Sequence, residues 1–206
     1  MTELKKYKMF IDGEWEDSES KKTFETLNPE NNEPWAEVPE ASEKDIDKAV
    51  KAAQKAFEGK WPKLFPRERA KYLKAIAEQL RENAELLGKI ETIDTGKLFK
   101  ETKTQANYIA EYYDYYAGLA DKVEGTVLPI DKANMQVITT RVPIGVIAAI
   151  IPWNSQMLLT AVKLAPALAM GNTVVIKSSE LAPATLFEFA KLIEKVGIPK
   201  GVVNIV

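Results

Sequence analysis

Two periodicities divide this chain. From residue 42 to about 121, apolar positions recur every three or four residues. From 144 onward they gather into short unbroken runs, separated by Gly, Pro and Asn. The first pattern predicts amphipathic helices, and the second predicts strands alternating with helices. Ahead of both, Met9 to Ile11, the Asp12-Gly13 pair and Glu14 to Trp15 read as a short hairpin. Asn28-Pro29 and the polar run to Pro34 read as a loop. Apart from these, the first 125 residues read as mostly helical.

In the helical stretch, Ser42 is an N-cap candidate with Asp45 in the acidic first turn. Ile46, Ala49, Val50, Ala53 and Phe57 then keep the helical period, and Gly59 ends it. Pro66 opens a second helix carrying Tyr72, Ile76 and Leu80. Residues 83–95 continue as another helical piece that stops at Gly96. A long helix over 98–121 carries Tyr108, Tyr112, Tyr113, Tyr115 and Tyr116. The spacing of four places 108, 112 and 116 on one packing face. With no Lys or Arg interleaved, packing is favoured over a base-stacking platform.

Residues 126–142 alternate. Thr126 to Ile130, a turn over Asp131 to Asn134, and Met135 to Val142 predict a two-stranded ribbon. An isolated ribbon is marginal in water, so it is expected to pair with something, a partner subunit being one candidate.

Residues 144–206 are the most informative. Ile144 to Ile151 is a continuous apolar run, as expected of a strand buried on both faces. A buried helix follows over 157–169, kinked or broken at Pro166. Thr173 to Ile176 is a second buried strand. A helix from about Pro183 to Val196, a turn at Pro199 and Gly201, and a third strand from Val202 to Val206 complete the order. That βαβαβ succession with short crossovers predicts an α/β fold: a parallel, right-handed, doubly wound unit.

Composition narrows the function. The chain has 206 residues, 46% hydrophobic and 28% charged, enough for a sizeable core. The net charge of -2 gives no basic excess for nucleic acid or an anionic membrane. No apolar run approaches the ~20 residues that span a bilayer. Met1 to Lys8 is polar rather than a signal region, so a cytoplasmic protein is expected. There is no cysteine and no histidine. That excludes disulfides, a cysteine nucleophile and thiolate or imidazole metal sites within these residues, and no metal is expected.

In open α/β sheets, ligands bind at the carboxyl ends of the strands. The first strand ends in Pro152-Trp153-Asn154 and the second in Lys177-Ser178-Ser179-Glu180. Neighbouring strands lie ~4.8 Å apart, so both ends can line one cleft. Trp153 offers an apolar wall, and the backbone near Pro152 can approach a ligand. Lys177 can donate to ribose or phosphate oxygens, and Glu180 can accept from a ribose hydroxyl. Asn154 offers an amide of the kind that steadies a developing oxyanion. A plainer reading stands beside this one: Asn154 as a helix cap, and Lys177–Glu180 as a solvated pair contributing under ~1 kcal/mol. The third strand stops at Val206, so it is expected to present an unpaired edge and an uncovered face. Either more chain or a partner is expected to cover it.

These segments resemble the aldehyde dehydrogenase superfamily. Phe10 to Trp15 is similar to the family's opening hairpin and Asn28-Pro29 to its following loop. Asp45 to Phe57 resembles its first helix, and Asp94-Thr95-Gly96-Lys97 its DxGK turn. Most specific are Pro143 to Asn154, Lys163 to Ala169 and Gly171 to Lys177, which fall in the family's order and spacing. The resemblance spans essentially the whole chain but only about the first two fifths of a full-length member. It implies the N-terminal part of the aldehyde dehydrogenase fold, the start of a Rossmann-like sheet. Residues 1–125 would be the hairpin and helices of the cofactor domain, 126–142 an oligomerisation ribbon, and 143–206 the first βαβαβ unit of the NAD(P)-binding domain, with the catalytic domain absent.

The same resemblance assigns roles. Asn154 would be the oxyanion asparagine. Ile150, Ile151, Pro152 and Trp153 would line the nucleotide site, with Ser179 beside them, and Lys177 and Glu180 would hold the adenosine ribose. Ser155, Leu159 and Val162 would face the aldehyde channel, with Lys163 near the proton-relay region. The implied cofactor is NAD or NADP, and the implied partners are an aldehyde and either further copies of the chain or a complementing C-terminal chain. Three residues depart from the family. Ser155-Gln156 stands where Phe or Tyr and then Pro are usual, implying a roomier or more polar channel. Ser178 stands where Pro often follows the lysine. In the family's chemistry a cysteine adds to the aldehyde, an asparagine helps hold the oxyanion, hydride passes to nicotinamide, and a glutamate-activated water cleaves the thioester. Only the asparagine is present, so this chain is expected to be inactive alone. Two alternatives stand beside this: a non-catalytic nucleotide-binding fragment or split subunit, and an acylating dehydrogenase that passes the acyl group to coenzyme A.

Overall fold

The computed structural model describes residues 4–206; residues 1–3 of the polar N-terminal segment lie outside the described residues. The chain opens with β1 (Lys5–Lys6) and the hairpin of β2 (Met9–Ile11) and β3 (Glu14–Glu16). Asp12 and Gly13 both adopt positive φ, 52° and 74°, which matches the twist a two-residue hairpin turn requires. Two further strands follow, β4 (Thr23–Asn28) and β5 (Glu33–Pro39). The loop reading of Asn28 to Pro34 is therefore corrected: only the four residues 29–32 form the turn between two antiparallel strands. Pro34 is tolerated because it sits opposite Leu27 at a register shift and beyond the reach of β1, which pairs at Ala36 and Glu37.

The helices fall where the periodicity places them. The first, α1 (Glu43–Glu58), is capped by Ser42, whose N–H and hydroxyl both donate to the Asp45 carboxylate, at 2.7 and 2.8 Å. Next come α2 (Pro66–Glu82), α3 (Ala84–Thr95) and α4 (Phe99–Leu119). Gly88 lets α3 and α4 touch, since a Cβ there would lie 2.8 Å from the Lys103 nitrogen. The tyrosine stripe on α4 is not the packing face predicted. Tyr108, Tyr112 and Tyr116 touch one another but stay partly or largely exposed, and the buried aromatic is Tyr113. The face that meets α2 and α3 runs through Thr102, Ala106, Ile109 and Tyr113, where small residues permit close helix approach.

The ribbon forms as β6 (Val127–Leu128) against β7 (Val137–Ile138), antiparallel and largely exposed. The chain then builds β8 (Val146–Ile150), α5 (Gln156–Ala169), β9 (Thr173–Lys177), α6 (Ala184–Val196) and β10 (Val203–Ile205). Pro166 lies inside α5 without ending it. The five-stranded sheet runs β3-β2-β10-β9-β8, with β8, β9 and β10 parallel and β2 antiparallel to β10. Two expectations are corrected here. The strand over 144–151 is not buried on both faces: β8 is an edge strand, Ala148 is exposed and Ile150 is 70% exposed. The last strand is not an edge: β10 is held between β9 and β2, and Val206 is buried. A hairpin nearly two hundred residues upstream closes that side, and Asn204 fastens it by accepting the Asp12 N–H at 2.9 Å. The apolar surface lies instead along β8 and the ribbon.

Candidate functional site

The parallel register sets the site. Ile150 of β8 pairs with Lys177 of β9, and the Ile151 N–H donates to the Lys177 carbonyl at 3.1 Å. The two carboxyl ends therefore open side by side on one rim. Beyond Ile151, which is buried, the chain rises through exposed Pro152 into a short 3-10 turn, Trp153–Ser155, and then enters α5. Trp153 and Asn154 are exposed.

On the second strand, Lys177 bonds Glu180 at 2.6 Å, and that bond holds the Glu180 carboxyl below its usual pKa. Ser179 is buried, and its hydroxyl accepts the Leu181 N–H at 3.0 Å. Lys177, Ser179 and Glu180 line a hollow of about 650 Å³ whose other walls include Val38, Ile46 and Phe187. It is wide enough for one half of a dinucleotide, with an apolar wall for a base and an ammonium–carboxylate pair for a ribose. Glu180 also lines a second hollow of about 450 Å³, shared with Trp153. Asn154 lines neither.

On the other side of the rim, Ser155, Leu159 and Val162 fall at helical spacing along a face of α5 that is only partly covered. Ser155 is not a free polar group. The Lys97 ammonium reaches its hydroxyl at 2.5 Å and also lies 3.5 Å from Glu91. Burial raises the Glu91 pKa, and Lys97 partly offsets that. Lys163 is half-buried. Among the described residues no cluster of three acidic, Cys or His side chains is arranged to hold a metal.

Sequence reasoning assigned no role to Asp94 or Gln156, and both prove central. Asp94 is buried where α3 ends. Its carboxylate accepts from the Thr26 hydroxyl at 2.7 Å, the Trp35 indole at 3.2 Å and the Ala184 N–H at 2.7 Å, joining β4, β5 and the start of α6. Desolvation raises its pKa to about 6 despite those donors. The sequence signal was an acidic residue just before a helix-ending glycine. Gln156, which the resemblance implies at a roomier or more polar channel, is instead buried and bonded to Ser178 and the Leu181 and Ala182 carbonyls.

A parallel βαβαβ unit with a polar rim over a hollow is the architecture of a doubly wound, nucleotide-binding type of α/β protein. The chain belongs to the aldehyde dehydrogenase family, whose profile matches residues 15–206. It is 48% identical over 204 residues to the (Z)-2-((N-methylformamido)methylene)-5-hydroxybutyrolactone dehydrogenase of Acinetobacter baylyi, covering 98% of this chain and 41% of that protein. A betaine aldehyde dehydrogenase of Staphylococcus aureus, solved with NAD+, superposes with a TM-score of 0.93 at 38% identity, over 97% of this chain and 41% of its own. An NAD-dependent aldehyde dehydrogenase of Sinorhizobium meliloti gives 0.95 at 32%, over 99% and 41%. The fold is thus that of the N-terminal part of an aldehyde dehydrogenase, and the chain spans about two fifths of the length of these relatives.

Proposed function

We propose that this chain is the cofactor-side portion of an NAD(P)+-dependent aldehyde dehydrogenase that oxidises an aldehyde to a carboxylic acid. The observation that supports it best is the pairing of Ile150 with Lys177, which brings the oxyanion-side turn and the ribose-side pair to one rim. When bound, the nicotinamide supplies the hydride acceptor. The chain's own residues bind and orient. Ile150, Pro152 and Trp153 offer a wall on the β8 side of the rim, with Ile151 packed beneath them. Lys177 and Glu180 hold the adenosine ribose, with Ser179 fixing the loop between them. The Asn154 amide, exposed and free to turn toward a carbonyl, donates to the oxygen that becomes negative during attack. Ser155, Leu159 and Val162 form one side of the aldehyde path. The Lys97 contact at Ser155 makes that side more polar than an aromatic residue would.

The residues for covalent attack are not among these 206, which include no cysteine. In this reading the chain alone binds dinucleotide without turning over aldehyde, and activity requires a complementary catalytic portion. The partner is an additional length of the same enzyme, with further copies docking on the β6–β7 ribbon, and the setting is cytoplasmic. The test is reconstitution. The chain, the complementary portion and their mixture are assayed for aldehyde-dependent NAD(P)H formation over a panel of aldehydes. Activity in the mixture only is the expected outcome; activity of the chain alone, or none in the mixture, overturns the reading.

A further inference from the structure

Two of the three residues at which the rim departs from the resembled pattern, Gln156 and Ser178, are bonded to each other. The Ser178 hydroxyl donates to Gln156 Oε1 at 2.9 Å. The amide nitrogen of Gln156 donates to the Leu181 carbonyl at 3.0 Å and also to the Ala182 carbonyl. Gln156 is 1% exposed, and its bonds to Ser178 and the Ala182 carbonyl are buried, where solvent competes little. Its place in the chain gives them consequence. Gln156 is the first residue of α5, directly after the turn that carries Trp153 and Asn154. Ser178 to Ala182 is the loop directly after β9, carrying Ser179 and Glu180.

That loop has no regular structure to hold it. Ala182 sits at φ 54°, a left-handed conformation that a non-glycine residue keeps only where its surroundings over-determine it. Two clamps do so. Asp94 accepts the Ala184 N–H from the α3 side, and Gln156 binds the Leu181 and Ala182 carbonyls from the α5 side. The backbone at 156 does not itself select glutamine. Its φ of -56° and ψ of -46° are ordinary helical values, and the first helical position tolerates many residues. The side chain is selected by what it reaches.

We infer that Gln156 is a positioning residue that sets the separation between the oxyanion-side turn and the nucleotide-side loop. Through one side chain, the placement of Asn154 is tied to the placement of Ser179 and Glu180, so dinucleotide binding and oxyanion stabilisation share one support. This rests on the functional reading above, and the experiment separates the two. Gln156→Ala, Gln156→Glu, Ser178→Ala and the Gln156→Ala/Ser178→Ala pair are made in the complete enzyme carrying this segment. Each is measured for NAD+ dissociation constant, kcat at saturating aldehyde and melting temperature.

Losing three hydrogen bonds, two of them buried, at Gln156→Ala raises the dissociation constant about tenfold and lowers kcat as well. Ser178→Ala, which removes the bond to Gln156 and a longer one to the Ser179 carbonyl at 3.4 Å, gives roughly a threefold effect. Gln156→Glu keeps the Ser178 acceptor, cannot donate to the two carbonyls, and falls close to the alanine variant. The double variant is no worse than Gln156→Ala, because both remove the same bond. A Gln156→Ala enzyme with a lower melting temperature but the parent's dissociation constant and kcat overturns the inference and leaves the functional reading standing. Should Gln156→Ala fail to fold, Ser178→Ala and Gln156→Glu decide: weaker NAD+ binding in a folded protein supports it, and parental values overturn it. A parent enzyme that binds no NAD+ overturns both.

Discussion

At the scale of single residues, Asp94 shows how burial and hydrogen bonding contend. Three donors favour its carboxylate, yet desolvation dominates and its pKa rises to about 6 from 3.8. A carboxyl whose folded pKa is raised takes up a proton on folding. Its contribution to stability is fully present below pH 3.8 and is lost as pH rises through about 6. Urea unfolding followed from pH 4 to 7 should therefore show stability falling across that window, and Asp94→Asn should flatten the slope. An unchanged slope would assign the titration elsewhere. Glu180 is the opposite case: exposed and paired with Lys177, its carboxyl stays ionised. In the reading proposed above Glu180 meets the ribose, where its negative charge repels a 2′-phosphate, so NAD+ should bind in preference to NADP+. Glu180→Gln in the complete enzyme should narrow that preference about tenfold, read as the ratio of kcat/KM for the two nucleotides. Equal ratios in parent and variant would remove Glu180 from the ribose site.

At the scale of elements, the sheet is closed on one side and open on the other. Gly201 makes the closure possible. It holds φ at 77°, and a Cβ there would lie 2.5 Å from the Ala52 carbonyl oxygen of α1. Gly201→Ala should destabilise by at least ~2 kcal/mol, from the left-handed backbone and the displaced helix together. A denaturation midpoint within error of the parent would contradict that account. On the open side, β8 presents its free backbone edge with Ile144, Ala148 and Ile150 exposed around it. Native edges of this kind are covered or charged, because an unpaired apolar edge recruits another chain. Ala148→Lys in the isolated chain should reduce light scattering on concentration while leaving the circular dichroism spectrum intact. Undiminished scattering would place the sticky surface elsewhere, with the β6–β7 ribbon the next candidate.

At the scale of the whole molecule, the chain is a folded support for a rim, with apolar surface exposed along β8 and the ribbon, and it spans about two fifths of the length of its relatives. The sequence by itself determined the helices of the first half, the ribbon, the βαβαβ order and the residue types at the two strand ends. Each depends on neighbours within a few positions: the 3.6-residue period, a Ser42–Asp45 cap, a Gly96 or Gly197 stop, an apolar run long enough for one strand. Only the tertiary structure decided which strand became the edge. That choice was made by the β2–β3 hairpin, which reaches β10 across nearly the whole chain through a pairing that no local pattern encodes. It also decided that β4 and β5 form and that their ends take up residues 28, 33 and 34 of the predicted loop, since their alternation is weak and pairing with each other stabilises them. Most of all, it placed Gln156 and Ser178, twenty-two positions apart, in one hydrogen bond. A polar side chain reveals its type in the sequence, but its partner is fixed only when separate strands and helices pack and exclude the water that would otherwise satisfy it.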